Sequence, residues 1–227
     1  MTLLSKLQLL LLFHTLRTSA FAPSGHGLYC DVDAIRPATT RGDDGYLFEG
    51  DGTAVTPEGR VDNIAQWLTW SDSSLKNACK DGMGLYDRIN AMLGGGAADI
   101  TTPQQVHWHS RVAILSHGNQ SDPIYNYVNA AGFRVFRWPE DVYYQLPSRK
   151  SAPEGSARQQ RAKVIDATVA GDITLIDEAV RVRYPNATVT LRDAILWNVY
   201  DDNGYRVGQT VLFDAEKCSF SDEDASR

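Results

Sequence analysis

His107 and His109, two imidazoles two positions apart in the run His107-Trp108-His109, would point to one face of a strand and could share a metal ion. A metal site needs further ligands, and no carboxylate or thiol stands at a supporting spacing, so no metal is assigned. Ser116 and His117 place a nucleophile type beside a base type. Neighbours on a strand project to opposite faces, however, and the Gly-x-Ser-x-Gly elbow is absent. No catalytic residue is assigned. Arg149, after Leu146-Pro147-Ser148, offers planar paired donors that suit a carboxylate or phosphate, or a salt bridge that fixes its own loop. Cys30, Cys79 and Cys218 are too widely spaced for a disulfide framework or a zinc-ligand pair. A redox pair of Cys30 with Cys218 would require the two ends of the chain to meet.

The elements that must position these residues follow from periodicity. From Val61 the pattern is helical: Ile64, Trp67 and Leu68 share one face, and Leu85, Ile89, Met92 and Leu93 share another, with Gly94-Gly95-Gly96 ending the second helix. Val112-Ala113-Ile114-Leu115 is an apolar run of the buried-strand kind and leads into Ser116-His117-Gly118. After Asp122-Pro123 the spacing of Tyr127, Ala130, Ala131, Val135 and Phe136 predicts a helix, with Asp122 bonding amides at its start. Tyr127 and Asn129 would face inward or tie that helix to the sheet. Trp138-Pro139-Glu140-Asp141 opens another short helix, and Ser156 caps one running to Ala170 with Val164, Ile165 and Thr168 on its inner face. Residues 175–184 and 187–200 read as strands, and Asp201-Asp202-Asn203-Gly204 as the hairpin turn before a last alternating strand through Phe213. Trp197 and Asn198, on a central strand, would line a pocket, or the tryptophan would sit in the core with its indole N–H satisfied.

Three ordered blocks carry a resemblance. Ser116-His117-Gly118-Asn119-Gln120-Ser121-Asp122-Pro123-Ile124-Tyr125-Asn126-Tyr127-Val128-Asn129, then Leu146-Pro147-Ser148-Arg149, then Ala194-Ile195-Leu196-Trp197-Asn198-Val199 with Gly208-Gln209, resemble the MEKHLA domain. That family is similar to PAS domains. The resemblance implies an α+β fold, an antiparallel sheet cupped by short helices, here with N-terminal helices before it. It also implies a sensory or regulatory role: binding an unknown small molecule or responding to redox state, and acting through a homodimer or a partner protein. Ser116, His117, Asp122, Tyr127, Asn129, Arg149, Trp197 and Asn198 are the candidate pocket or motif residues. A passive interaction module whose cup is filled by its own side chains, and a cup-shaped acid-base enzyme using His117 or Asp122, are the alternatives. Plant relatives carry homeodomains and zippers; no such blocks occur here, so the chain resembles the free-standing algal or bacterial form.

The chain of 227 residues carries 22 basic and 28 acidic side chains, a formal net charge of -6, which disfavours phosphate-driven nucleic-acid binding. Basic residues are scattered apart from Arg158, Arg161 and Lys163 on one predicted helix. Lys6, the apolar run Leu7 to Phe13 and Thr18-Ser19-Ala20 predict a signal peptide over 1–20, cut between Ala20 and Phe21 and too short for a stable membrane span. Ser19-Ala20-Phe21-Ala22-Pro23 resembles the leader motif of algae with secondary plastids, which implies plastid delivery. Under the alternative, secretion, Asn119-Gln120-Ser121 and Asn186-Ala187-Thr188 would be glycosylation acceptors. Residues 21–60 read as a transit or linker segment without a fold, except for a short strand at Tyr46-Leu47-Phe48. The domain spans 61–215, and 216–227 reads as a disordered polar tail. No cofactor is assigned.

Overall fold

Alternation of apolar and polar residues in the second half of the chain builds one sheet, and the computed structural model describes it within residues 48–49, 53–54, 64–94 and 99–221. The predicted signal segment with its Ala20–Phe21 cut, Cys30, most of the 21–60 linker and the tail from 222 lie outside the described residues. Two-residue strands β1 (Phe48–Glu49) and β2 (Thr53–Ala54) pair antiparallel. Then come helices α1 (Ile64–Ala78), α2 (Leu85–Met92) and α3 (Pro103–His107). Strands β3 (Val112–Gly118) and β4 (Tyr125–Val128) precede α4 (Ala130–Phe136), α5 (Glu140–Tyr143) and the long α6 (Ser156–Gly171). Strands β5 (Ile173–Arg183), β6 (Ala187–Tyr200), β7 (Arg206–Asp214) and the short β8 (Ser219–Phe220) complete the sheet, whose order is β4-β3-β7-β6-β5 with β8 also on β6. Every pairing is antiparallel. The α+β sheet cupped by short helices, with N-terminal helices, is therefore the architecture observed.

The sheet carries a core on each face. Ala113, Leu115, Leu196 and Phe213 point into the cup, where Phe133, Phe136 and Tyr143 of α4 and α5 meet them. Val112, Ile114, Trp197 and Leu212 point the other way and are covered by α1, α2 and α3. The spacing of Ile64, Trp67, Leu68 and Leu75 puts all four on the buried side of α1. Each contributes roughly 1.5–3 kcal/mol of burial, and Leu68→Ala at a fully buried position would cost about 2–5 kcal/mol. Ser71 and Ser74 share that face and stay affordable through hydrogen bonds to the sheet, Ser71 to Thr210 and Ser74 from the Tyr200 N–H. Gly208 matters for the same contact, since a methyl group there would run into the His117 carbonyl and the Trp67 ring.

Several predicted details change. The helix expected after Asp122-Pro123 starts at Ala130; Tyr125–Val128 is a strand, because these residues complete β3 along its free edge. His107 ends a short helix, started by Thr102 accepting from the Gln105 N–H, and is not on a strand. Gly155, and not Ser156, caps α6, with no side-chain bond. Residues 216–221, read as part of a tail without fold, form the end of a 3₁₀ turn (Ala215–Lys217) and the strand β8.

Besides the register shifts at Ser116/His117 and Val199/Tyr200, alternation breaks midway along β5 and β6, with consequences for the cup. Ile176 and Ala179 on β5, and Leu191 and Ala194 on β6, all belong to the cup core although each pair is three residues apart. Asp193, at φ 52°, lies between Leu191 and Ala194 at the step where the otherwise continuous β5–β6 pairing is interrupted without a change of register. Lys217 holds its carboxylate at 2.7 Å.

Candidate functional site in the cup

A cavity of about 40 Å³ remains on the inner face of the sheet. By the rule that a water needs roughly 10–15 Å³, it has room for a few small molecules of that size. Leu115, Phe136, Leu196 and Phe213 form most of its apolar wall, while His117, Arg161, Arg181 and Gln209 supply polar groups. Sheet and lid contribute together: His117 comes from β3, Gln209 from β7, Arg181 from β5, and Arg161, with Val164 and Ile165, from α6.

The polar atoms here are poorly matched by the protein itself. His117 is 6% exposed, and its Nδ1 lies 2.8 Å from the Gly118 carbonyl. A carbonyl only accepts, so Nδ1 carries the proton and Nε2 keeps its lone pair, for which the protein supplies no partner. Burial pushes the His117 pKa down to about 4, against a raising bond from Gly118, so the ring is neutral near neutrality. Gln209 is fully buried; its Nε2 donates to the Asn198 side-chain oxygen at 3.0 Å, and its Oε1 is also without a partner.

The two guanidinium groups have hydrogen bonds but no ion-pair partner among the described residues. Arg161 donates to the Ser148 hydroxyl at 2.8 Å, and Arg181 donates to the adjacent Val180 carbonyl at 2.8 Å. The ion pairs among the described residues join other groups, so neither arginine has a carboxylate of the described residues within 4.0 Å. Each retains some solvent exposure, yet burial lowers the pKa of both, Arg181 to about 10, with Arg161 adding to that depression. Tyr125 and then Asp122 work against the shift at Arg161.

Of the predicted candidates, His117 lines this cavity. Asn198 points inward beside it and ties the lid down, donating to the Thr168 carbonyl at 2.9 Å and to Asp172 at 3.1 Å. Ser116 and Trp197 face the opposite core: Ser116 meets the Thr210 hydroxyl at 2.8 Å, and the Trp197 indole donates to the Ser71 carbonyl at 3.0 Å. Tyr127 lies in that outer core, its hydroxyl unpartnered and its pKa raised well above the ordinary value by burial. Asn129 is structural, capping α4 through the Gly132 N–H and bonding Ile114, Val106 and Val112. Asp122 and Arg149 pair with each other on the surface at 2.9 Å, both about half exposed, so Asp122 bonds no helix-start amides.

Other predicted chemistry is accounted for by local structure. His109 Nδ1 accepts from the Arg111 and Val112 N–H groups, which fixes the entry to β3. Among the described residues no group of three His, Cys, Asp or Glu could hold a metal ion. Cys79 and Cys218 are free thiols, and burial pushes Cys218 up to about 11. No helix among the described residues is long and apolar enough to cross a membrane. A wider hollow of about 390 Å³ lies outside the cup near Trp70, Ser74, Asp172, Tyr200 and Asp201. Two of its carboxylates are engaged, Asp201 accepting from Asn203 and Tyr205 and Asp172 from Tyr200 and Asn198, while the Trp70 indole N–H has no partner among the described residues.

Arg161, Arg181 and Gln209 were not among the predicted site residues. The small basic grouping of Arg158 and Arg161 on one helix was the available signal for the first of them.

Among curated proteins none matches this chain. Solved structures to which it is similar include the PAS domain of a protein from Colwellia psychrerythraea, 15% identical, with 45% of this chain and 85% of that one covered and a TM-score of 0.39. A LOV protein of Rhodobacter sphaeroides is 16% identical over 48% of this chain and 62% of that one, TM-score 0.41. An RNA-binding light-oxygen-voltage receptor is 19% identical over 49% of this chain and 30% of that one, TM-score 0.39. The MEKHLA domain profile matches residues 89–217, more than half of the chain, and spans β3 to β7 with every residue that lines the cup. With the three predicted motif blocks inside that match, the chain belongs to the MEKHLA domain family.

Proposed function

We propose that this protein is a sensory or regulatory domain that takes a small molecule into the cup between the sheet and α6. The observation that carries this reading is the pair of buried acceptors, His117 Nε2 and Gln209 Oε1, lining one cavity without protein partners. An unsatisfied buried acceptor costs about 1–3 kcal/mol, and a bound molecule with donors would relieve both. Output would pass through the sheet. His117, Asn198 and Gln209 face the cup, and their chain neighbours Ser116, Trp197 and Thr210 face α1. A ligand that binds one packing of α6 and α1 more tightly shifts the population toward it, and self-association or a partner protein reads the result.

Native mass spectrometry of the full chain, before and after incubation with a metabolite extract, tests this reading. A retained mass that is lost in the Gln209→Leu variant supports it. An unliganded protein in both samples sinks it in favour of the passive interaction module. The acid-base enzyme reading is not favoured, since among the described residues His117 pairs with no carboxylate and Asp122 is held in a surface ion pair with Arg149. We also propose plastid delivery through the leader, with secretion as the alternative. Fluorescence outside the plastid from a fusion of residues 1–45 would refute it.

A further inference from the structure

We infer that the molecule held in the cup is a small organic carboxylate, clasped between Arg161 of the lid helix α6 and Arg181 of strand β5. This rests on the ligand-binding reading above and names the class of ligand. Two guanidinium groups from two different elements line one cavity, and each offers five donors, of which the protein takes few. No carboxylate among the described residues answers them, although the chain as a whole is acidic at -6. A guanidinium beside a carboxylate makes two parallel hydrogen bonds and cancels the charge, which is the match these groups lack. Apart from His117 and Gln209, whose unpartnered acceptors call for a donor such as a hydroxyl on the body of the ligand, the rest of the wall, including Leu115, Phe136, Val164, Leu196 and Phe213, is apolar and would receive a hydrocarbon body better than an inorganic oxyanion.

The lid is suited to respond. Thr168 is the buried residue of α6, which starts without a side-chain cap and packs Val164 and Ile165, both partly buried, against the cup core. Its ties to the sheet include Asn198 to the Thr168 carbonyl and a long 3.5 Å contact from Gln209 to the Ile165 carbonyl. Without an anion the two guanidinium groups on this wall repel, and with one they are drawn together, so the ligand closes α6 onto β5. Because the closed cavity is about 40 Å³, a body larger than a few atoms enters only as the lid lifts.

Amide hydrogen exchange of the full chain tests the inference, with sodium butyrate as the probe and butyramide as its neutral counterpart at matched ionic strength. Butyrate at ten times its dissociation constant should slow exchange in α6 roughly tenfold, and butyramide should leave it unchanged. Arg161→Gln and Arg181→Gln should each abolish the protection while melting no lower than the parent, since each removes an uncompensated charge. Equal protection by butyramide, protection that survives both substitutions, or protection by inorganic phosphate alone would overturn the inference. A neutral compound retained in native mass spectrometry through His117 and Gln209, with butyrate inert, would overturn it and leave the sensor reading standing. No retained mass and no protection would overturn both.

Discussion

Ser71 of α1 and Thr210 of β7 meet hydroxyl to hydroxyl at 3.1 Å, 139 positions apart in the chain and both fully buried. Thr210 also meets Ser116 at 2.8 Å, so one threonine joins the outer helix to two adjacent strands. Thr210→Val keeps the shape and strands two buried hydroxyls. We expect a loss of roughly 2 kcal/mol in urea denaturation and faster amide exchange in α1 than in β5. Unchanged exchange in α1 would show that Thr210 does not couple helix to sheet.

Asn129 does more with one side chain than any motif residue near it. Its oxygen accepts from Ile114 and Gly132, and its nitrogen donates to Val106 and Val112, joining α3, β3 and α4. Asn129→Ala should cost about 3 kcal/mol, because buried backbone groups lose partners that water cannot replace. Equilibrium unfolding should show a lower midpoint at an unchanged denaturant slope.

His117 makes stability depend on pH with a defined sign. Its folded pKa of about 4 lies below the ordinary 6.5, so the unfolded chain takes up the proton first as pH falls. The contribution is complete above about 6.5 and is lost progressively down to about 4, by roughly 3 kcal/mol at most. Denaturation at pH 7.5, 5.5 and 4.0 should show the loss, and His117→Gln should remove that part of it. His109 is shifted the same way by burial and then Arg111, so the difference between parent and variant is the measurement that isolates His117.

Two arginine–aspartate pairs should respond unequally to the same change. Arg111 grips Asp214 with three hydrogen bonds, and the Asp214 side chain is 3% exposed. Burial alone would raise the Asp214 pKa, but the bonds from Arg111 and the Glu216 N–H overcome it and hold the carboxyl low. Arg111→Met should cost about 2 kcal/mol, below the range for fully buried pairs because the arginine is itself a third exposed. Arg149→Met, which breaks the exposed pair with Asp122, should cost roughly 0–1 kcal/mol and leave butyrate protection of α6 intact. Loss of that protection in Arg149→Met would return the anion site to this loop.

The sequence by itself determined the family and the elements with strong local signals. Helical spacing located α1 and α2, the apolar run from Val112 located β3, and Asp201 to Gly204 marked the β6–β7 turn, where Gly204 takes φ 79°. Each of these is a local signal, set by neighbours a few residues away. Which face a residue serves was decided elsewhere. Ser116 and His117 could be assigned to opposite faces by alternation, but which face held the cup depended on α1 covering the outer one through Trp67 and Ser71. Tyr127 and Trp197 went to that outer core. Arg181 was beyond the reach of alternation, since counting from Ile176 puts it outside and the break in alternation between Ile176 and Ala179 turns it in. Arg161 sits on a helix with little apolar contrast, where periodicity does not say which side packs. Only the tertiary structure brought these two cations into one cavity, because their approach depends on the curvature of the sheet and the seating of the lid, and neither is written in local spacing.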